Sequence, residues 1–245
     1  MSDKKYELTS VSIEWMGKKL FQIKALKTFW NVKEGELWGY IEKEENLEQV
    51  YGDAWVYGDA WVYGNAQVSG NAWVSGDAQV SGNAQVSGDA RVYGDAWVSG
   101  DAQVSGDAQV YGNAQVSGDA WVYGDAWVYG DAQVYGDARV YGDAWVSGDA
   151  WVYGNAQVSG NAQVYGNARV SAKLAYTKGW FIGGDDTGKI TKLKEEQVWN
   201  QSWKSNYVLG DFEINPIEEE EVTNTQEEKI VTDKNRKKYK LTPVE

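Results

Sequence analysis

Cysteine and histidine are both missing from this chain of 245 residues, and proline occurs only twice. The missing cysteine excludes a disulfide framework and every Cys-based zinc or iron–sulfur site. The missing histidine removes the side chain that most often acts as general base near neutral pH. Long apolar runs are missing too. No stretch approaches the about 18 residues of a membrane helix, and no apolar segment follows the charged Met1–Lys5 in the manner of a secretory signal. A soluble, cytoplasmic protein is therefore expected, without a membrane partner. Positive charge is also scarce: 23 Lys and Arg face 36 Asp and Glu, for a formal net charge of −13. That balance disfavours direct binding to nucleic acid or to an anionic membrane.

What is present is a repeat. From Val50 to Ser171 the unit Val-(Tyr/Ser)-Gly-(Asp/Asn)-Ala-(Trp/Gln/Arg) recurs without insertion or deletion, its alanines falling at every sixth position from Ala54 to Ala168. Each of these twenty units reads as a short strand followed by a Gly-Asp or Gly-Asn corner. Side chains alternate across a strand, so Ala54 and Val56 point one way and Trp55 and Tyr57 the other. Glycine takes positive φ freely, and Asp and Asn visit the left-handed region more readily than most residues.

Two architectures fit this period. An antiparallel meander would place Tyr57 opposite Ala60 and Val56 opposite Trp61, mixing large and small residues on both faces. A coil in which each strand pairs with strands one turn above and below sends all Val and Ala to the axis and all Trp, Gln, Arg, Tyr and Ser outward. The coil alone yields a clean core. That core is thin, one Val and one Ala per side, with each buried Val contributing roughly 1.5–3 kcal/mol. Identical neighbours make slippage by a whole coil cheap, and both ends expose strand edges that need dissimilar caps.

The Val and the small Ala four positions on resemble the hexapeptide repeat of left-handed parallel β-helix proteins. The resemblance covers Val50 to Ser171 and implies three hexapeptides per triangular coil. The fold class expected is thus all-β: a single-stranded left-handed parallel β-helix of about 6.7 coils, roughly 32 Å tall at ~4.8 Å per coil, with small N- and C-terminal capping domains. The stretch Val32-Lys33-Glu34-Gly35-Glu36-Leu37-Trp38-Gly39-Tyr40-Ile41-Glu42 through Asn46-Leu47 resembles the leader of uncharacterised bacterial and phage hexapeptide-repeat proteins, although Trp38 stands where that pattern has Gly. Some of these are named as acyltransferases, largely on fold analogy. Four segments follow: an N-terminal β-rich cap at 1–49, the β-helix at 50–171, a C-terminal α+β cap at 172–217, and a charged tail or terminal hairpin at 218–245. In the first, Tyr6–Trp15 and Leu20–Leu26 read as strands about a turn at Gly17. Beyond the repeats, Trp180–Ile190 reads as a hairpin around Asp185–Gly188, Lys194–Lys204 as a short helix, and Tyr207–Ile214 as a strand. The tail holds an acidic run at Glu218–Glu221 and a basic one at Arg236–Lys240, with Asp233–Arg236 as the candidate turn.

Acyl transfer, the commonest activity implied by the resemblance, uses a His base, and carbonic anhydrases on this fold hold zinc with three. With no His, and no loop interrupting the coils, neither chemistry is expected. Exposed carboxylates are poor bases for an alcohol at neutral pH. No catalytic residue, metal or cofactor is assigned, and an acyltransferase-like enzyme with a non-His base is the alternative. The 13 Asp and 7 Asn of the corners interchange freely, as corner residues do, and lack the paired Gly of calcium-binding roll repeats. Gly-rich phosphate cradling fails as well, because the Gly residues are spread over every corner instead of gathered before a helix.

Function is therefore expected on the outer faces. Sorted by three, the outward residues give a first face with Trp55, Trp73, Arg91, Gln109, Trp127, Trp145 and Gln163, a second with Trp61, Gln79, Trp97, Gln115, Gln133, Trp151 and Arg169, and a third rich in Gln. Such residues also simply suit strand ladders. As a binding surface, Trp55, Trp73, Trp127, Trp145, Tyr57 and Tyr129 would engage a protein partner or further copies of the chain, as in a homotrimer. Asp53, Asp89, Asp107, Asp125 and Asp143 would supply an acidic surface. The net charge of −10 over the repeats, about half the linear density of duplex DNA, suggests a DNA mimic as a further role, for example in phage counter-defence.

Overall fold

The computed structural model of the chain describes residues 4–171 throughout and, beyond them, the strands Leu174–Asp185, Val208–Pro216, Ile230–Thr232 and Lys238–Lys240. The repeats form a parallel β-solenoid of about seven turns. Each short strand pairs with the one three hexapeptides farther on: Trp55 and Val56 with Trp73 and Val74, and Trp127 and Val128 with Trp145 and Val146. Each coil therefore has three sides. Every Ala and Val of the array, from Ala54 to Val170, is buried. The segregation that favoured the coil over the meander is complete.

The corners show why glycine recurs. From Gly52 to Gly166 each corner Gly has φ between +57° and +74°, a region that costs an L-residue about 1–2 kcal/mol. A second constraint is added by stacking. A Cβ on Gly82 would lie 2.8 Å from the carbonyl oxygen of Gly100, so corners can stack directly only if neither bears a side chain.

At the N-terminus β1 (Tyr6–Trp15), β2 (Lys18–Ala25) and β3 (Leu37–Ile41) form an antiparallel sheet, with a turn at Met16 and Gly17, both of positive φ. β3 then pairs parallel with Trp61–Val62, and Leu47 bridges to Val68. The first coil is thus supplied by the leader, and the array begins before Val50. Gly39 belongs to it: a Cβ there would meet Val56 Cγ1 at 2.6 Å and the Ala60 carbonyl oxygen at 2.7 Å.

At the other end Leu174–Asp185 runs parallel to Gln163–Val170 and antiparallel to Val208–Pro216, which spans most of the expected strand Tyr207–Ile214. Trp180 and Phe181 take Leu209 and Val208, from much farther along the chain, as antiparallel partners. Ile230–Thr232 and Lys238–Lys240 pair antiparallel, as a hairpin about residues 233–236 requires. The expected turn beyond Asp185, the helix Lys194–Lys204 and the acidic run Glu218–Glu221 lie outside the described residues.

Two glycines separate the conformational cost from the stacking cost. Gly58 has φ +60° with its nearest contact at 3.4 Å, whereas Gly82 has φ +70° and the contact at 2.8 Å. In urea unfolding, Gly82→Ala is expected to lose at least ~1 kcal/mol more than Gly58→Ala. Equal losses would show that stacking adds nothing to the φ requirement.

Candidate interaction surface

The N-terminal rim is built from side chains that replace a missing coil. Main-chain carbonyls of the first repeats point past the end of the array, where unpaired groups would be costly. Tyr40 and Glu42 of the leader donate their N–H groups to the carbonyls of Ala60 and Val62, and Glu48 donates to that of Val68. Where the leader backbone does not reach, side chains do. Asn46, fully buried, donates Nδ2 to Gly64 and Ala66, at 3.2 and 2.8 Å, while its Oδ1 accepts from the N–H of Lys43. Lys5, 2 % exposed, donates Nζ to Gly52 and Ala54 at 3.1 and 3.3 Å. Burial lowers the Lys5 pKa to about 8, against the pull of Glu48 and Asp53. Burial raises the Glu42 carboxyl, but hydrogen bonds from the Lys18 ammonium and the Gly64 N–H outweigh it, and the net shift is downward. The Tyr6 hydroxyl, 2.8 Å from the carbonyl oxygens of both Glu44 and Leu47, is pushed well above the ordinary phenol range, chiefly by burial.

This cap also claims part of the expected binding face. Trp55 is fully buried, with Tyr6 and Phe29 set edge-on to its ring at centroid distances of 5.9 and 5.0 Å. It is a core residue of the cap and cannot meet a partner, contrary to the expectation from sequence. Tyr57 is half-buried, with its hydroxyl 2.9 Å from Asn31 Oδ1 and its ring against Trp38 and Trp73; burial raises its pKa to about 12. Trp73 lies under Trp30, at 4.0 Å between centroids. On the second face Trp61 is covered by Trp15. Sequence reasoning missed these covers because Trp15, Phe29 and Trp30 fall outside the repeat and carry no periodic signal.

Farther along, the first face is open. Tyr93, Tyr111 and Tyr129 stack within 4° of parallel at 4.8 and 5.0 Å, and Trp127 stacks on Trp145 at 5.3 Å. Burial raises the Tyr93 and Tyr111 hydroxyl pKa values. Trp145 is 38 % exposed, and the second and third faces carry Trp97 and Trp121 at 41 and 40 %. Exposed indoles are thus spread over all three faces, but the stacked pair beside a three-ring ladder belongs to the first. Stacked pairs of this kind are worth about 0.5–1.5 kcal/mol beyond area burial.

The three arginines of the repeats share one placement. Arg91 lies over Trp73, Arg139 over Trp121 and Arg169 over Trp151, 5.0, 5.2 and 4.6 Å from the ring centroids. In each case the Trp stands one coil earlier, a pattern visible in the sequence once the coil length is fixed. The corner residues form three columns. That of Asp53, Asn71, Asp89, Asp107, Asp125, Asp143 and Asn161 flanks the first face, and its members are exposed. Asn71 donates to Asp89, as Asn83 does to Asp101 and Asn113 to Asp131. Each such amide separates runs of like charge. The run Asp89–Asp143 contains four carboxylates without one, longer than any in the other two columns. Among the described residues no group of three or more carboxylates is placed to hold a metal ion.

Segments 49–64, 66–82, 84–100, 108–124, 114–130, 132–148 and 162–173 match the YdcK Beta solenoid repeat. The chain is a beta-solenoid repeat protein. No curated protein matches it. Among the described residues, no helix is long and apolar enough to cross a membrane. The surface of the solenoid offers shallow hollows: about 330 Å³ at the rim beside Glu48 and Gln67, and about 270 Å³ on the third face among Gln103, Ser105, Trp121 and Tyr123.

Two measurements test these assignments. The folded chain releases the Lys5 proton near pH 8 while the unfolded chain holds it to about 10.5, so unfolding stability should fall as pH drops through the Lys5 window and rise from pH 8 to pH 10. Above pH 10 it should fall, because Tyr6 and Tyr57 keep their protons in the fold. Lys5→Met should abolish the rise; an unchanged slope would remove Lys5 from the cap energetics. Separately, Trp55→Gln buries an unpaired amide and should cost about 3 kcal/mol, whereas Trp145→Gln should cost under ~1 kcal/mol.

Proposed function

We propose that this solenoid is a non-catalytic structural and binding module that engages a protein partner through its flat outer surface. The observation that carries the reading is the open first face, where Tyr93, Tyr111, Tyr129, Trp127 and Trp145 form two neighbouring ladders beside an exposed acidic column. Aromatic rings held rigid by stacking lose little entropy on contact, and Trp and Tyr are favoured anchors at interfaces. The first two coils need no outside cover, since Phe29, Trp30 and Tyr6 already occupy them. An oppositely charged partner suits this face better than a second copy, because matching faces would bring two acidic columns together.

Mimicry of DNA toward a nucleic-acid-binding protein is a second reading, favoured by the uninterrupted run Asp89–Asp143 and by the net charge of −13. It requires that binding be lost at about 0.5 M salt, where screening is strong. The acyltransferase-like alternative would route chemistry through a carboxylate base, and it requires acyl-CoA to bind.

The repeat supplies its own conservative replacements, since Gln and Ser occupy the same columns elsewhere. A chain with Trp127→Gln, Trp145→Gln, Tyr111→Ser and Tyr129→Ser should fold and keep its circular dichroism but lose capture of host partners. Unchanged capture would overturn the binding role of this face. A rise in melting temperature with any of several acyl-CoA donors would revive the enzyme.

A further inference from the structure

Two features meet on the first face between Arg91 and Trp145, and a third recurs over all three faces. The first is the aromatic platform, with Trp127 and Trp145 stacked at 5.3 Å next to the Tyr93–Tyr111–Tyr129 ladder. The second is the rim. Asp89, Asp107, Asp125 and Asp143 each stand just before an outward side chain of this face, all exposed, with no Asn between them to relieve their mutual repulsion. The third is the behaviour of the array's own cations. All three arginines of the repeats rest on a Trp of the preceding coil, at 4.6–5.2 Å from the ring centroid.

Of the eight Trp in the repeats, three therefore carry an Arg from this chain. Trp55 is buried and Trp61 is packed against Trp15. Trp97 is open, but it stands alone, with Gln79 and Gln115 as its ladder neighbours and Asn113 in the next corner of its column. Trp127 and Trp145 remain as a doubled platform with carboxylates at Asp107, Asp125 and Asp143 alongside.

From this juxtaposition we infer that the first face is a docking surface for an arginine-bearing segment of a partner protein, whose guanidinium groups pack on the ring surface that the Trp127–Trp145 stack leaves open while pairing with Asp125 and Asp143. Arginine is favoured over lysine because its planar, weakly hydrated head can lie on an indole and still donate sideways to a carboxylate. Within the chain, Arg91 rests on Trp73 of this face and Arg139 and Arg169 rest on indoles of the other two, and charge complementarity fixes the sign of the partner. The inference rests on the binding-module reading and names the chemistry of its occupant.

The test uses the full chain and two probes, hexa-arginine and hexalysine peptides, with binding read by tryptophan fluorescence and calorimetry at moderate salt. Hexa-arginine should bind several-fold more tightly than hexalysine. Trp145→Gln, and separately the pair Asp125→Asn and Asp143→Asn, should each weaken it about ten-fold. Trp97→Gln, and the pair Asp119→Asn and Asp137→Asn on another corner, should leave it within about two-fold. Circular dichroism confirms that each variant folds. Equal affinity for both peptides, equal loss from every acidic pair, or no binding of hexa-arginine would overturn the inference. If hexa-arginine fails while the four-residue aromatic variant still loses its host partners, the occupant is wrong and the binding face stands. If that variant also keeps its partners, the binding reading falls with it.

Discussion

Direct stacking of corner on corner is the constraint from which the rest of the molecule follows. Corner Gly lies against corner Gly one coil away along most of the array, with φ near +70° and with a Cβ either excluded or tightly squeezed at these contacts. That contact holds successive coils in register corner by corner. The register in turn stacks every outward side chain on its counterpart, Trp on Trp, Tyr on Tyr, Arg on Trp. The core needs no shape specificity of its own: an Ala and a Val from each hexapeptide are buried, coil after coil.

A stack with fixed register has open ends, and the N-terminal segment is organised around closing one of them. The leader forms most of a coil, pairing β3 with Trp61–Val62 and Leu47 with Val68. Asn46 and Lys5 complete the hydrogen bonding with side-chain nitrogens where backbone is missing. The same segment folds its aromatic residues down over the first coils. Closing the edge and covering the first repeat indoles are thus done by one short segment, while the exposed repeat indoles Trp97, Trp121 and Trp145 lie farther along the array.

How much of this the sequence revealed depended on periodicity. The coil and its inward Val and Ala were legible because a strict hexapeptide period admits only one arrangement that separates small from large, whereas the three outward columns followed from the resemblance to hexapeptide-repeat proteins. Trp55 was misplaced because its burial is imposed by Tyr6 and Phe29, which belong to no repeat. The pairing of the leader with the first coils gave no signal because it runs out of step with the repeat. Tyr40 meets Trp61, half a hexapeptide farther along than one coil's length, and the intervening sequence does not follow the hexapeptide. Lys5 gave no signal at all: a lysine near a chain end ordinarily reads as solvated surface. The arginine stacks were legible in principle, since each Arg follows a Trp by one coil.

Those stacks bear on how such a chain finds its own alignment. The interior is degenerate, since any coil of Val and Ala would sit equally well on any other. The exterior carries the information that the interior lacks. A coil looped out beneath Arg169 would set its guanidinium on Gln133 instead of Trp151, and one looped out beneath Arg139 would set that guanidinium on Gln103 instead of Trp121. Tyr141 would lose Tyr123 and face Ser105. The decoration of the surface works as an address written along the rod, by which each turn is told from its otherwise identical neighbours.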